Sequence, residues 1–203
     1  MKRDIRDVMD KLKRLNMKGM VLNNETLWVP ITITPEEVQL GIDMGSLQEE
    51  ESKKNGLNDR SFSGDEGDSL ARSIAAKQAE FAVCRYGGGT ARVVGINEFH
   101  DHPDCGQVNV RFTFDPGYGM ILTKRDQGKV PMVLVTGRCP NFMLMGWHIP
   151  DFAKQIVYKI HAGRTEDCQT QFGFLQEMKD HEACQVPMQM LLPMWSFNPE
   201  LIK

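Results

Sequence analysis

Apolar residues recur at helical spacing over the first eighteen positions, at Ile5, Val8, Met9, Leu12 and Leu15, which predicts an amphipathic helix over 1–18. A β-branched run from Leu27 to Ile33 predicts a strand. It stops at Thr34-Pro35-Glu36-Glu37, where Thr34 can cap a helix, Pro35 suits its first position and Glu37 completes a capping box. That helix is expected from Pro35 toward Lys53, with Val38, Ile42 and Gly45 on one side. The stretch 55–69 is rich in Ser, Gly, Asn and Asp and predicts a loop. Helical spacing returns from Ser69 to Arg85 through Leu70, Ile74, Phe81 and Cys84, and Tyr86-Gly87-Gly88-Gly89 stops it. Five further strands are predicted at 92–96, 108–114, 119–123, 130–136 and 142–147, separated by Pro-Gly or Cys-Pro-Asn turns and suited to a curved, mainly antiparallel sheet. A short helix from Pro150 through Ile160 and an apolar run from Val186 to Trp195 complete the pattern.

At 203 residues and 41% hydrophobic, the chain is expected to form one domain with its own core. A formal net charge of −3 supplies no whole-molecule attraction to nucleic acid, so such contact has to come from a local patch. Two are candidates: the 1–18 helix, with seven Lys/Arg against three Asp, and Lys124, Arg125, Lys129 and Arg138 around the later strands. No run approaches the roughly 18 apolar residues of a membrane span, and acids fall where a signal peptide would be apolar; the expectation is a soluble cytoplasmic protein without a membrane partner. Five cysteines without a Cys-x-x-Cys argue for reduced thiols rather than a disulfide framework.

The densest chemistry lies in His100-Asp101-His102-Pro103-Asp104-Cys105-Gly106-Gln107-Val108-Asn109-Val110-Arg111. Three readings compete for it. His100, His102 and Cys105 are types that suit a transition metal, although their spacing matches no usual zinc motif. Asp104, with Asn109 and Arg111 two residues apart on one strand face and Glu80 arriving from the preceding helix, suits a magnesium-dependent phosphodiesterase. The third reading is a solvated loop entering an ordinary strand. Asp104 and Asn109 are separated by an odd number of residues, so a regular strand would turn them to opposite faces unless Gly106 bends the chain. His148 is expected at a surface strand end, and His161 and His181 as structural or solvated. Cys84 reads as a small buried hydrophobe, Cys105 as the one thiol beside a candidate site, and Met143 and Met145 as core fill. Gly87 to Gly89 follow a helix and precede no Lys-Ser/Thr pair, so they are no phosphate loop.

Taken in order, Val29 to Glu37 followed by Gly41 to Gly45, Ala79-Glu80-Phe81-Ala82-Val83, Asp104-x-Gly106 with Val110-Arg111, and Val133-Leu134-Val135-Thr136-Gly137 followed by Gly146-Trp147 resemble small phage-encoded proteins related to the PD-(D/E)xK, restriction-endonuclease-like nucleases. The resemblance spans roughly residues 28–155. It implies an α/β (α+β) fold with a restriction-endonuclease-like core, a mixed curved sheet flanked by helices, and a C-terminal extension over about 156–203. It also implies Mg²⁺ or Mn²⁺ held by Asp104, Asn109 and Glu80, and a catalytic set of Glu80, Asp104, Asn109 and Arg111 acting on DNA. A homodimer or a host protein would be further partners. Pro103-Asp104 would be the Pro-Asp element, and Asn109-Val110-Arg111 would stand where Asp/Glu-x-Lys is expected. Asn109 offers a neutral amide oxygen in place of a carboxylate, and Arg111 keeps the charge of the lysine without a proton to shed near neutral pH. The alternative is a catalytically inactive module of that fold that binds nucleic acid or a host protein.

Overall fold

Strand β1 (Val29–Thr32) feeds helix α1 (Pro35–Lys54) through the capping box expected from the sequence. Glu37 Oε2 accepts the Thr34 N–H at 2.7 Å, and Thr34 Oγ1 accepts the Glu37 N–H at 3.3 Å. The computed structural model describes residues 24–54, 66–89, 103–123, 126, 128–153 and 183–202. The helix expected at 1–18, the strand at 92–96, His100, His102, Lys124, Arg125, His161, His181 and most of the helix after Pro150 lie outside the described residues.

Helix α2 (Glu66–Gly87) starts three residues before the predicted Ser69 and runs antiparallel to α1. Its glycine stop is a Schellman closure: Gly88 takes φ +69°, its N–H meets the Arg85 carbonyl at 3.1 Å, and the Gly89 N–H meets the Cys84 carbonyl at 3.0 Å. Two glycines of α1 let the helix backbones close together. A methyl group on Gly41 would fall 2.4 Å from Gln78 Cγ, and one on Gly45 only 2.5 Å from Ile74 Cα. Beyond them the buried Glu49 accepts hydrogen bonds from Ser69 and Ser73, and at the other end Arg85 pairs with Glu37 at 3.2 Å.

Four strands form the main sheet in the order β1-β5-β4-β2: β5 (Asn141–His148) lies antiparallel to both β1 and β4 (Met132–Arg138), and β4 lies parallel to β2 (Asn109–Thr113). The sheet is therefore mixed, where the turn pattern alone suggested mainly antiparallel pairing. The parallel ladder arises because β3 (Met120–Thr123), which intervenes in sequence, leaves this sheet and pairs with β6 (Ala183–Val186) in a separate ribbon. The fold is mixed α/β.

Each face of the main sheet covers its own core. On the helix side Val110, Val133, Val135, Phe142 and Leu144 pack with Ala79, Ala82, Val83 and Cys84 of α2. On the other side Met132, Leu134 and Met145 pack with Met120, Leu122, Val186, Met190 and Leu191. A bulge opposite Leu134/Val135 reconciles the two, since it adds Met145 to the second core while Leu144 and Trp147 both stay on the helix side. His148, expected at the surface, is only 4% exposed: its register partner is Met132, so β5 ends beneath the second core. Burial lowers its pKa, and its Nδ1 accepts the Ile149 N–H at 2.9 Å.

Residues between Val186 and Ile202 contribute to both cores. Leu192 exchanges backbone hydrogen bonds with Trp147 at 2.8 and 2.9 Å, Phe197 meets the Trp147 ring edge-on at 5.5 Å, and Met194, Phe197 and Ile202 are buried on the helix side. Among the described residues no helix is long and apolar enough to cross a membrane.

The glycine contacts give a test with a sign. In a solvent-facing helix, Gly→Ala stabilises by up to about 1 kcal/mol. Gly45→Ala is expected to destabilise the protein instead, by about 1–3 kcal/mol in urea unfolding, because the methyl group has to displace Ile74 backbone. A stabilised variant would show that the helices are not packed this closely.

Candidate active site

Cys105 and Val108 face each other across a tight turn, joined by N–H to carbonyl bonds of 2.9 and 2.8 Å in the two directions. Gly106 makes this reversal at φ +57°, and a side chain there would meet the backbone of Leu201 and Ile202 within 2.7 Å. The Gln107 N–H is held by the Leu201 carbonyl at 2.7 Å. Because the chain doubles back, Asp104 lies alongside β2 instead of preceding it in line. Its Oδ2 accepts the Val110 N–H at 2.7 Å. That N–H lies on the edge of β2 turned away from β4, where no strand of the described residues pairs with it.

Helix α2 delivers Glu80 to the same region. The Glu80 carbonyl accepts the Cys105 thiol at 3.2 Å, which seats the helix on the turn. One helical turn earlier, Lys77 Nζ lies 2.7 Å from Glu80 Oε1, and both residues are buried, at 4% and 9% exposure. Burial is the main cause that raises the Glu80 pKa to about 7, repulsion from the Asp104 carboxylate adds to it, and Lys77 pulls the other way. Asp104 is raised as well, chiefly by burial, against the lowering effects of the Val110 N–H, Lys77 and Arg111. Glu80, Asp104 and Lys77 thus form one electrostatic unit, with two carboxylates under the influence of one buried cation. A carboxyl group that titrates near neutrality beside a buried ammonium is suited to moving protons.

Asn109 and Arg111 stand elsewhere. Their register partners are Met132 and Leu134, both of the second core, so the two project to the sheet face opposite α2. Arg111 donates to Asp126 in a short ion pair and is half-exposed. It reaches Asp104 only as a neighbouring charge. The structure therefore brings Glu80 and Asp104 together, sets Arg111 at the margin, and turns Asn109 away from Glu80. Gly106 does bend the chain, and the bend places Asp104 at the strand edge rather than on the face of Asn109. Lys77 and Asp126 complete the charge cluster, and neither was singled out from the sequence. The Lys77/Glu80 spacing of three is visible there, but the burial that distinguishes it from a solvated pair is not.

Cys105 does lie at the site, in contact with Cys84, and its thiol pKa is raised by Cys84 and by burial, so it is held as the neutral thiol while the core is closed. Among the described residues, no group of three or more His, Cys, Asp and Glu side chains is arranged to hold a metal ion. No family model, curated protein or solved structure matches this chain.

The raised Glu80 has a consequence for stability. Between its ordinary value of 4.5 and about 7 the folded chain holds a proton that the unfolded chain has released. Stability is then full below pH 4.5 and falls as pH rises through 7, by up to about 3 kcal/mol from this group. Urea unfolding of wild type and Glu80→Gln is expected to diverge over that window, the variant gaining relative to wild type toward pH 8 and the two converging near pH 4. A difference independent of pH would mean that Glu80 is ionised throughout.

Proposed function

We propose that this protein is a Mg²⁺- or Mn²⁺-dependent phosphodiester hydrolase acting on DNA, with the main sheet and α2 as a restriction-endonuclease-like core. The observation that carries this reading is the convergence of Glu80, Asp104 and Lys77, from a helix and from the turn ahead of β2, into one shielded charge cluster. The donor set fits the ion. Magnesium is commonly held by one or two carboxylates together with waters and substrate phosphate oxygens. The side-chain hydrogen bonds engage Oε1 of Glu80 and Oδ2 of Asp104, so the second oxygen of Asp104 would be the donor for a cation and that of Glu80 the acceptor of a proton. Such an ion supplies Lewis-acid polarisation of a phosphoryl oxygen.

The chain's own residues account for the remainder. Asp104 is held in place by the Val110 N–H and orients its free oxygen without a search through rotamers. Glu80, poised near neutrality, takes the proton of the attacking water at its carboxylate. Lys77 is fixed by Glu80 and places its ammonium where negative charge builds on the phosphate. Arg111 and Asp126 border this cluster, and the half-exposed Arg111 is a cation that a DNA backbone would meet.

A second reading is favoured by the placement of Asn109. With that residue on the opposite sheet face, the Asp/Glu-x-Lys equivalent contributes no second acid next to Asp104. On this reading the protein is an inactive module that binds nucleic acid or a host protein.

Cleavage of labelled single- and double-stranded DNA with Mg²⁺ or Mn²⁺ separates the two. Hydrolysis is expected to be lost in Asp104→Asn, which keeps an acceptor for the Val110 N–H, and in Glu80→Gln. It is expected to fall roughly 10²-fold or more in Lys77→Met, while Asn109→Ala stays near wild type. DNA retention on a native gel with no cutting by the wild-type protein would establish the binding module instead.

A further inference from the structure

Two thiols meet inside the helix-side core. Cys84 lies in the closing turns of α2 and Cys105 in the turn ahead of β2; they are 1% and 0% exposed, and their Sγ atoms lie 2.7 Å apart. Bridging requires two cysteines whose side chains already point at each other. These two satisfy it, because the helix is seated on the turn by the Cys105 thiol to Glu80 carbonyl bond and by Ile202, which packs on Gly87, Gly89 and Gly106. Cys139, by contrast, is exposed, in the turn between β4 and β5.

We infer that Cys84 and Cys105 are a redox pair that closes into a reversible disulfide, a covalent staple between the helix that carries Glu80 and the turn that carries Asp104. The oxidant is a low-molecular-weight disulfide of the glutathione class. One protein thiolate attacks it, forming a mixed disulfide and releasing one small thiol. The second protein thiol then displaces the other small thiol. Two electrons pass from the protein sulfurs to those of the reagent, and the two protons leave with the released thiols, so the step balances. Neither thiol can react while the core is closed, so the rate is set by opening of the turn. Gly106 and Gln107 are exposed there, and one hydrogen bond, from Gln107 to Leu201, ties the tip to the C-terminal segment. The bridge closes a loop of twenty-one residue steps, restricting the unfolded chain and pinning the spacing of the two acids. The inference stands whether the site hydrolyses DNA or only binds it.

The test uses the full chain in oxidised and reduced glutathione, followed by acid quenching, alkylation and peptide mapping. The expected product is a Cys84–Cys105 cross-linked peptide pair, two hydrogen atoms lighter than the two reduced peptides together, without glutathione on either residue, and fully reversed by dithiothreitol. The oxidised protein is expected to melt several degrees above the reduced one, and Cys139→Ser to behave like wild type in both respects. Alkylation of both Cys84 and Cys105 at equilibrium while Cys139 carries glutathione would overturn the inference, as would a cross-link of either residue to Cys139. Because mapping is done on the wild-type chain, the outcome does not hang on whether a Cys84→Ser variant folds.

Discussion

A strand at the edge of a sheet has backbone groups that no neighbouring strand takes, and here the carboxylate of Asp104 takes one of them. The Val110 N–H on the side of β2 away from β4 is bound by Asp104 Oδ2 at 2.7 Å. The bond needs the chain to reverse between Cys105 and Val108, the reversal needs Gly106 in a left-handed conformation, and the C-terminal residues Leu201 and Ile202 close over that glycine. One hydrogen bond therefore links the edge of the main sheet, the turn and the last residues of the fold. It also fixes a carboxylate next to a helix that brings another.

The cluster that results is costly to the folded state. Burying charge is unfavourable even when the partners are paired, and a hydrophobic set of similar volume would serve packing as well or better. Lys77 and Glu80 are almost fully covered, and yet they stay in contact at 2.7 Å with Asp104 nearby. Such an arrangement, a carboxyl near its titration point beside a cation with a fixed direction, is the observation on which the proposed function rests. The same region holds the Cys84/Cys105 contact, so packing, charge and thiol chemistry meet at the junction of α2 with the turn ahead of β2.

The two faces of β2 explain why a motif read along the chain divides in space. Asn109, Val110 and Arg111 are consecutive, but the pleat sends Val110 to the helices and its neighbours to the second core. The acid pair forms through the turn and the helix, not through the strand alternation. Arg111 then finds Asp126 on its own face and borders the cluster from outside.

Much of this architecture was present in local signals. The capping box at Thr34 and Glu37, the glycine stop at the end of α2 and the strands β2 to β5 depend on neighbouring residues, whose chemistry is the same in any fold. Glu80 and Asp104 were visible as candidates because an acid on a helix and an acid ahead of a strand are features of short segments. Pairing across distance was not visible: the parallel ladder of β2 with β4, the departure of β3 to join β6, the burial of His148 and the seating of the C-terminal residues in both cores rest on contacts between remote segments. Lys77 is the sharpest case. As a residue type at helical spacing from an acid it reads as a solvated cation, and only the turn and sheet closing over α2 make it a buried partner of Glu80. The sequence determined most of the helices and strands and several of their ends, because caps, glycine stops and strand patterns are decided within a few residues. Which charges lose their water was decided by tertiary structure, because desolvation is a property of what packs on top.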